Sequence, residues 1–292
     1  MKKLGVKNGE VDYSSNCGNM ISAVGPFAID SGLVKKSASG DVTVRIHNTN
    51  TNKIIDATFP VVGGEAATHG DFAIDGVEGT AARIQLAFLN PAGSKTGKLL
   101  PSGNATDTID GVKVSLVDCG NPCCFVSAAD LGVDGTILPE AMEAHPDLLA
   151  RLDKIRRQAS VLMGLSDNIK SAAGSVPKIA MVSKPSTHKI LSGESLDSSK
   201  VDIVVRAISV GQPHRAVPIT VAMAIAAAAK VEGSTVNLLT SLEHSVDPKG
   251  LTLGHSSGKI VVGANFDKSG VLLDVTVYRT ARRLMDGTVY WK

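Results

Sequence analysis

The sequence contains the run Val221-Ala222-Met223-Ala224-Ile225-Ala226-Ala227-Ala228-Ala229, which has no polar side at helical spacing. With its flanks, this run predicts a helix over 216–231 that is ended by Gly233. A helix that is apolar all round must be surrounded by other parts of the protein. Because its side chains are small, neighbouring strands can approach closely. The run therefore predicts a central helix wrapped by a sheet.

Short runs rich in β-branched residues surround this helix in the sequence, separated by Gly, Asn or Asp, and such runs are typical of strands. They predict strands over 41–47, 53–62, 111–117, 178–182, 201–209, 259–262 and 271–278. Other helices are expected over 19–31, from Pro139, and over 148–165. A small-residue helix among strands thus occurs twice, which predicts an α/β (α+β) protein with a two-fold pseudo-repeat.

Composition limits the classes of function. The 292 residues are 43% hydrophobic but only 3% aromatic, so the core must be built from Val, Ile, Leu and Ala. The net charge of +2 comes from 30 basic and 28 acidic residues spread along the chain. Because no basic block with interleaved aromatic residues occurs, no nucleic-acid partner is expected.

Location and redox state follow from two further patterns. The longest apolar stretch, 217–229, is too short to span a bilayer and contains Pro218. The N-terminus becomes polar within about ten residues, unlike a secretory leader. Three of the four cysteines lie within 119–124, a layout that suits neither a disulfide framework nor zinc. A reduced, cytoplasmic protein without membrane contact or metal is predicted.

One cysteine stands apart, in the stretch Ser14-Ser15-Asn16-Cys17-Gly18-Asn19-Met20. Asn16 is a good N-cap for the helix that follows, and Gly18 lets a ligand approach the backbone. A helix N-terminus attracts carboxylates and lowers the pKa of a nearby thiol, so Cys17 is a candidate reactive group. The alternative is a buried, inert cysteine, which is the common fate of a lone thiol.

Three other segments are candidates for ligand binding. The segment 118–122, Asp-Cys-Gly-Asn-Pro, predicts a rigid turn that presents the Asn121 amide. The segment 211–215 ends in Arg215, which can donate two hydrogen bonds to a carboxylate at the start of the second helix. The segment 254–258, Gly-His-Ser-Ser-Gly, is a loop rich in donors. Each is also an ordinary turn composition.

Two motifs are set aside. The segment 93–98, Gly-Ser-Lys-Thr-Gly-Lys, is one residue too short for a phosphate-binding loop and is followed by Leu99. It predicts a turn between strands. The segment 254–258 has the spacing Gly-x-Ser-x-Gly, but the strand predicted over 259–262 follows it where a hydrolase elbow needs a helix, so a serine hydrolase is not indicated.

From about Val11 to its end, the chain resembles the PrpF family of 2-methylaconitate cis–trans isomerases, whose relatives include methylitaconate delta-isomerases, aconitate isomerases and oxalomesaconate tautomerases. The matching landmarks, in order, are 16–19 with 23–28, 100–104 (Leu-Pro-Ser-Gly-Asn), 120–122, 213–216 (Pro-His-Arg-Ala), 254–258 and 279–284 (Arg-Thr-Ala-Arg-Arg-Leu). Their number and order identify the family but not the substrate.

The resemblance implies a diaminopimelate-epimerase-like fold of two domains, each a curled mixed sheet around a central helix, with the site between them. We expect residues 1–115 to form an incomplete first domain and residues 116–275 the second. Residues 276–292 are expected to add a final strand that returns to the first domain. Exposed sheet edges would favour a homodimer.

The resemblance also implies an isomerase that needs no cofactor or metal and shifts a proton and a double bond in a small unsaturated di- or tricarboxylic acid. Cys17 is the expected acid/base group. The expected substrate-binding residues are Gly18, Asn19, Asn121, Arg215, Ser256, Ser257 and Gly258.

Two departures from the family pattern keep alternatives open. Relatives carry an upstream segment with a Lys expected to act with the Cys, whereas only sixteen residues precede Cys17 here. The chain is therefore expected to be N-terminally truncated, and one alternative is a carboxylate-binding remnant with impaired catalysis. Another is a 4-oxalomesaconate tautomerase. His214 and Arg215 stand where the epimerases have a second Cys, which favours a one-sided proton shift over racemisation.

Overall fold

The computed structural model describes residues 3–4, 11–12, 18–35, 38–240, 245–288 and 290. The helices of this part of the chain are α1 (Gly18–Ile21), α2 (Val24–Asp30), α3 (Pro139–Ala144), α4 (Leu148–Leu162), α5 (Ile219–Ala228) and α6 (Thr235–Leu239). Two 3-10 turns lie at Ala129–Leu131 and Ser198–Lys200.

The strands of the first half are β1 (Lys3–Leu4), β2 (Val11–Asp12), β3 (Ser39–Asn48), β4 (Lys53–Val62), β5 (Glu65–Ala66), β6 (Phe72–Ala73), β7 (Thr80–Ala81), β8 (Ile84–Leu89), β9 (Asp107–Ile109) and β10 (Val112–Cys119). Those of the second half are β11 (Asn121–Ser127), β12 (Lys178–Ser183), β13 (His188–Lys189), β14 (Ser195–Leu196), β15 (Ile203–Ser209), β16 (Gln212–Pro213), β17 (Leu251–His255), β18 (Gly258–Phe266) and β19 (Leu272–Arg279).

One mixed sheet of thirteen strands dominates the described part of the chain. Its main path runs β3-β4-β8-β19-β18-β17-β15-β12-β11-β10-β9, with β5 and β16 at its side. Most neighbours are antiparallel, but β11 pairs with β12 and β15 with β17 in parallel. Strand β19 joins β8 of the first half to β18 of the second. The expected division into domains at 115 and 275 stays a prediction.

Helix α5 is the centre of the larger core. All of its residues are buried, and it packs on β10, β11, β18 and β19. The expectation of a helix surrounded by strands is confirmed. It follows from the sequence because a helix without a polar face has no side that can be left in water.

Helix α2 fills the corresponding place in the first half, on the side of β4. That strand alternates buried and half-buried residues, as a strand with one face on a core does. A Cβ on Gly25 would lie 2.7 Å from the Phe59 ring, so only glycine allows this close approach of helix to strand.

A second core lies under the helix α4. Leu148, Leu152, Ile155 and Ala159 recur at helical spacing on its buried side and pack in one cluster with apolar residues of β10, β11 and β12. This layer covers the opposite face of the second-half strands.

The structure differs from the expected helices at both helix starts. The helix expected over 19–31 is two short helices, because Pro26 has no N–H to bond back to Ser22 and instead lies in the first turn of α2. The second helix begins at Ile219, not at Ala216, since Val217 precedes Pro218 and is held out of the helical region. Within the described residues, no helix is both long and apolar enough to cross a membrane.

Candidate active site

The starts of α1 and α5 meet between the two halves of the molecule. A Cβ on Gly18 would lie 2.7 Å from the Cβ of Ile219, so the absence of a side chain at Gly18 is what lets these helix starts touch. Cys17 precedes Gly18 in the sequence, but it lies outside the described residues, as does Asn16, the expected N-cap of the helix. The candidate site is therefore defined by the starts of α1 and α5.

A cavity of about 410 Å³ opens where these helix starts meet. The described residues that line it are Gly18, Asn19, Lys178, Ser209, His214, Arg215, Ala216, Val217, Pro218, Ile219 and Thr220. Three of the expected binding residues, Gly18, Asn19 and Arg215, are thus brought to one cavity. The Arg215 side chain is 73% exposed at the rim, where its nearest acidic group, Glu140, is 3.9 Å away.

Asn121 is not part of the described lining of this cavity, but it bonds to Thr220, which is. Asn121 follows Gly120, which adopts a φ of +72° in the tight turn between β10 and β11. The expected turn is therefore present, but the Asn121 amide is fully buried. Its Nδ2 donates to the Thr220 hydroxyl at 3.4 Å, and its Oδ1 has no partner among the described residues. Asn121 thus touches the cavity through Thr220.

The Ser256–Gly258 turn is not part of the described lining of this cavity and is linked to it through the Arg215 backbone. The Ser257 hydroxyl donates to the Arg215 carbonyl oxygen at 2.8 Å. The Ser256 hydroxyl is buried and has no partner among the described residues. Gly258 has a φ of +130°, and a Cβ there would lie 2.5 Å from the Asp75 side chain. This turn therefore locks the Arg215 backbone against a loop of the first half.

His255, directly before this turn, is neutral. Burial, together with the charges of Arg206 and Arg279, lowers its pKa to about 4. Its Nδ1 accepts a hydrogen bond from the Ser257 N–H at 3.1 Å, which places the proton on Nε2. His255 thus shapes the turn and carries no charge at neutral pH.

Two cationic residues near the site were not among the expected binding residues. Arg279 donates from Nε to Asn19 Oδ1 at 3.4 Å, and burial lowers its pKa to about 10, so it stays charged at neutral pH. Lys178 begins β12 and is 7% exposed. The signals in the sequence were the position of Arg279 in a family landmark and a lysine heading an apolar strand.

The other three cysteines are unsuited to acid/base work. Cys119, Cys123 and Cys124 are buried and unpaired. Burial raises the pKa of Cys123 to about 12, against the opposing charge of Lys178, and raises the pKa of Cys119 and Cys124 as well. A thiolate is the reactive form of cysteine, so these thiols are inert at neutral pH.

The segment 93–98 is a turn, as expected, and it binds an internal carboxylate. Asp118 is fully buried and accepts from the backbone N–H groups of Lys95 and Thr96, at 2.8 Å each, and from the hydroxyls of Ser94 and Thr96. These donors of the segment 93–98 are therefore already bonded within the fold. Across the described ranges, no three His, Cys, Asp or Glu side chains are grouped so that they could hold a metal ion.

Comparison with known proteins gives a consistent answer. A family model described as PrpF protein matches residues 2–292. The chain is 38% identical to a 3-methylitaconate isomerase of Eubacterium barkeri, over 99% of this chain and 77% of that protein. It is 36% identical to a 2-methyl-aconitate isomerase of Shewanella oneidensis, over 96% and 74%. A crystal structure of methylitaconate-delta-isomerase superposes with a TM-score of 0.87 at 36% identity, covering 99% of this chain and 76% of that one.

Proposed function

The chain belongs to the PrpF family, and from this premise we propose that it is a cofactor-independent isomerase. Its relatives are isomerases named for small unsaturated carboxylic acids. The proposed reaction moves a proton and a double bond in a di- or tricarboxylic acid of the 2-methylaconitate or aconitate type. The observation that carries the proposal is the cavity at the meeting helix starts, which has Arg215 at its rim and adjoins Gly18, the residue after Cys17.

The substrate would be held by its carboxylates. The first amides of α5 have no partner within the helix and are available to an anion, as in any helix start. Gly18 and Asn19 offer backbone N–H groups on the other side of the cavity, and Arg215 offers two parallel donors. Ser257 and Gly258 are proposed to complete the wall beside Arg215, together with the unpartnered Ser256 hydroxyl.

Asn121 would act from behind Thr220, which lines the cavity. If its amide turns over, the Thr220 hydroxyl can donate to Oδ1, and the NH₂ group is then free to donate to a carboxylate. This arrangement would satisfy the buried oxygen that now has no partner. We therefore keep Asn121 as a substrate-binding residue that depends on Thr220.

Cys17 is the proposed acid/base group. As a thiolate it would take a proton from the carbon beside the double bond, and the electrons of that C–H bond would pass into an enolate-like system with the carboxylate. The thiol would then return the proton to the far end of that system, which completes the shift of the double bond. Donors fixed in place stabilise the charge that develops on the carboxylate.

A second candidate is a protein that binds the acid without turning it over. The observation that favours it is the exposed apolar side of the first helix region, where Met20 is 58% and Phe27 61% exposed. A thiol next to a loosely covered helix would be positioned poorly, and small displacements of a reacting group lower rates strongly. A cytoplasmic location, a homodimer formed through exposed sheet edges and the absence of a nucleic-acid partner remain predictions beside both candidates.

Proton NMR in D₂O tests the proposal. Purified protein would be incubated with trans-aconitate or 2-methylaconitate, and solvent deuterium in the substrate would be followed together with the isomer ratio. Exchange with isomerisation is expected for the wild type and should be lost in Cys17→Ala. Full turnover in Cys17→Ala would show that another group moves the proton. Binding without any exchange would favour the second candidate.

A further inference from the structure

We propose that Lys178 binds a substrate carboxylate on the floor of the cavity and thereby selects acids with two or more carboxylates. This inference rests on the proposed function and adds a binding residue outside the expected set. Lys178 lies at the start of β12, paired in parallel register with Cys123 of β11. It shares the cavity with Gly18, Asn19 and Arg215.

The first step of the argument is the burial of Lys178. Only 7% of the residue is exposed, yet it lines a cavity large enough for a small polycarboxylate. Lysine is among the residues least often buried, because removing its charge from water is unfavourable. A lysine that is buried and still reaches a cavity is well placed to meet an anion there.

The second step is the charge of the cavity wall. Among its described lining residues, Lys178 and Arg215 carry formal positive charges, and none is Asp or Glu. A neighbouring cavity of about 180 Å³ is different, since Asp75 and Asp247 line it together with its basic residues. The formal charge of both linings is +2, from four basic and two acidic residues in the neighbouring cavity and from two basic residues here, but only the cavity with Lys178 has no described lining carboxylate to repel an anion.

The third step is the contrast between the two cations. Arg215 is mostly exposed at the rim, so water and salt weaken its attraction for a carboxylate. Lys178 is buried, where the same attraction is screened less. An acid with one carboxylate could use either cation, whereas an acid with two or three could use both. Lys178 would therefore contribute most to selectivity for polycarboxylates.

Calorimetry with substrate-like acids that cannot isomerise tests this assignment. Tricarballylate is a propane chain with three carboxylates, and butyrate is the same chain with only one. Wild type is expected to bind tricarballylate more tightly than butyrate. Lys178→Met should raise the Kd for tricarballylate by about 30-fold or more, because one partner of a buried charge pair is lost. Lys178→Arg keeps the positive charge, so its Kd for tricarballylate should rise less. The matched control is Lys184→Met, an exposed lysine just after the same strand.

The ratio of the two Kd values separates binding from a structural role. A variant that is partly unfolded weakens both acids equally, whereas loss of a carboxylate contact reduces the preference for tricarballylate. An unchanged Kd and ratio in Lys178→Met would overturn the assignment, as would a wild type that binds neither acid. Wild-type turnover in D₂O is measured independently. If the wild type turns over substrate but Lys178→Met binds both acids as the wild type does, only the role of Lys178 is refuted. If binding depends on Lys178 but the wild type shows no turnover, only the proposed isomerase activity is refuted.

Discussion

Helix α5 and the pair α1–α2 both contribute a helix start to the candidate site, but they are covered differently. Every residue of α5 is buried, whereas α2 buries only Gly25, Ala28 and Ile29. The rest of α2 is partly or fully open, with Phe27 mostly exposed. The second half of the site is therefore built on a helix that is surrounded, and the first half on helices that are covered on one side.

This difference bears directly on the proposed chemistry. Thr220 and Lys178 belong to the covered half and are buried, so packing holds their side chains in place. Arg215 belongs to the same half, where Ser257 fixes its backbone while its side chain is exposed at the rim. Gly18 and Asn19, which follow Cys17, belong to the open half. We therefore expect conditions that loosen α1 and α2 to impair proton transfer before they impair binding of the carboxylic acid, because the binding residues lie mainly beside the buried helix α5.

A charge placed inside α5 should have the largest effect. Ala224 is fully buried, so Ala224→Asp would place a carboxylate among apolar groups with no partner. The expected loss is more than about 4 kcal/mol of unfolding free energy, or no folded protein at all. Urea denaturation followed by circular dichroism measures this loss.

The matched control for this variant is Ala23→Asp, at the exposed start of α2. No side chain caps that start, so Asp there is expected to change the unfolding free energy by no more than about 0.5 kcal/mol. Equal losses in both variants would show that the open half is as tightly packed as α5.

Acid should destabilise the covered half next. The folded pKa of His255 is about 4, below its ordinary value of 6.5. Between these values the unfolded chain binds a proton that the folded protein does not, so stability falls as the pH falls through that window. The expected loss between pH 6.5 and 4 is about 3 kcal/mol. Urea denaturation at a series of pH values measures it.

His255→Asn is the control for the acid effect, because its side-chain oxygen can still accept from the Ser257 N–H. The variant should lose stability less steeply over the same pH window. A pH dependence that is as steep in His255→Asn as in the wild type would assign the effect to other groups, of which His188, whose pKa burial also lowers, is the first candidate.

Contact between the two halves comes third. Gly18→Ala would place a Cβ 2.7 Å from the Ile219 Cβ, which is not the flexible end of a side chain. We expect a loss of about 1–3 kcal/mol. Part of it should be recovered in the double variant with Ile219→Ala. Gly174→Ala is the control, because its nearest neighbour would be 3.9 Å away. If the losses of the two single variants simply add in the double variant, Gly18 and Ile219 are not in contact.

The sequence predicts the covered half better than the open half, for a physical reason. A run such as 221–229 admits one solution, a surrounded helix, and Gly120 with Asn121 predicts a tight turn. In the open half, the interruption between α1 and α2 depends on Pro26, which can either lie inside one longer helix as a kink or occupy the first turn of a new helix. Lys178 lines the cavity and Arg279 contacts Asn19 because of strand register, which brings together residues far apart in sequence. The local signals, a lysine heading an apolar strand and an arginine in a family landmark, do not give that register.

The smallest effect on stability is expected at Phe27, and it sharpens the comparison most. This ring is 61% exposed on α2, close to the exposed Met20 and Val24, so Phe27→Ser should change the unfolding free energy by less than about 1 kcal/mol. Contiguous exposed apolar groups promote association, so the variant should self-associate less, as measured by light scattering over a concentration series. Leu238→Ser, an exposed leucine on the short helix α6, is the control. If both variants associate like the wild type, the open side of α2 is not a contact surface, and the homodimer would have to form through the sheet edges instead.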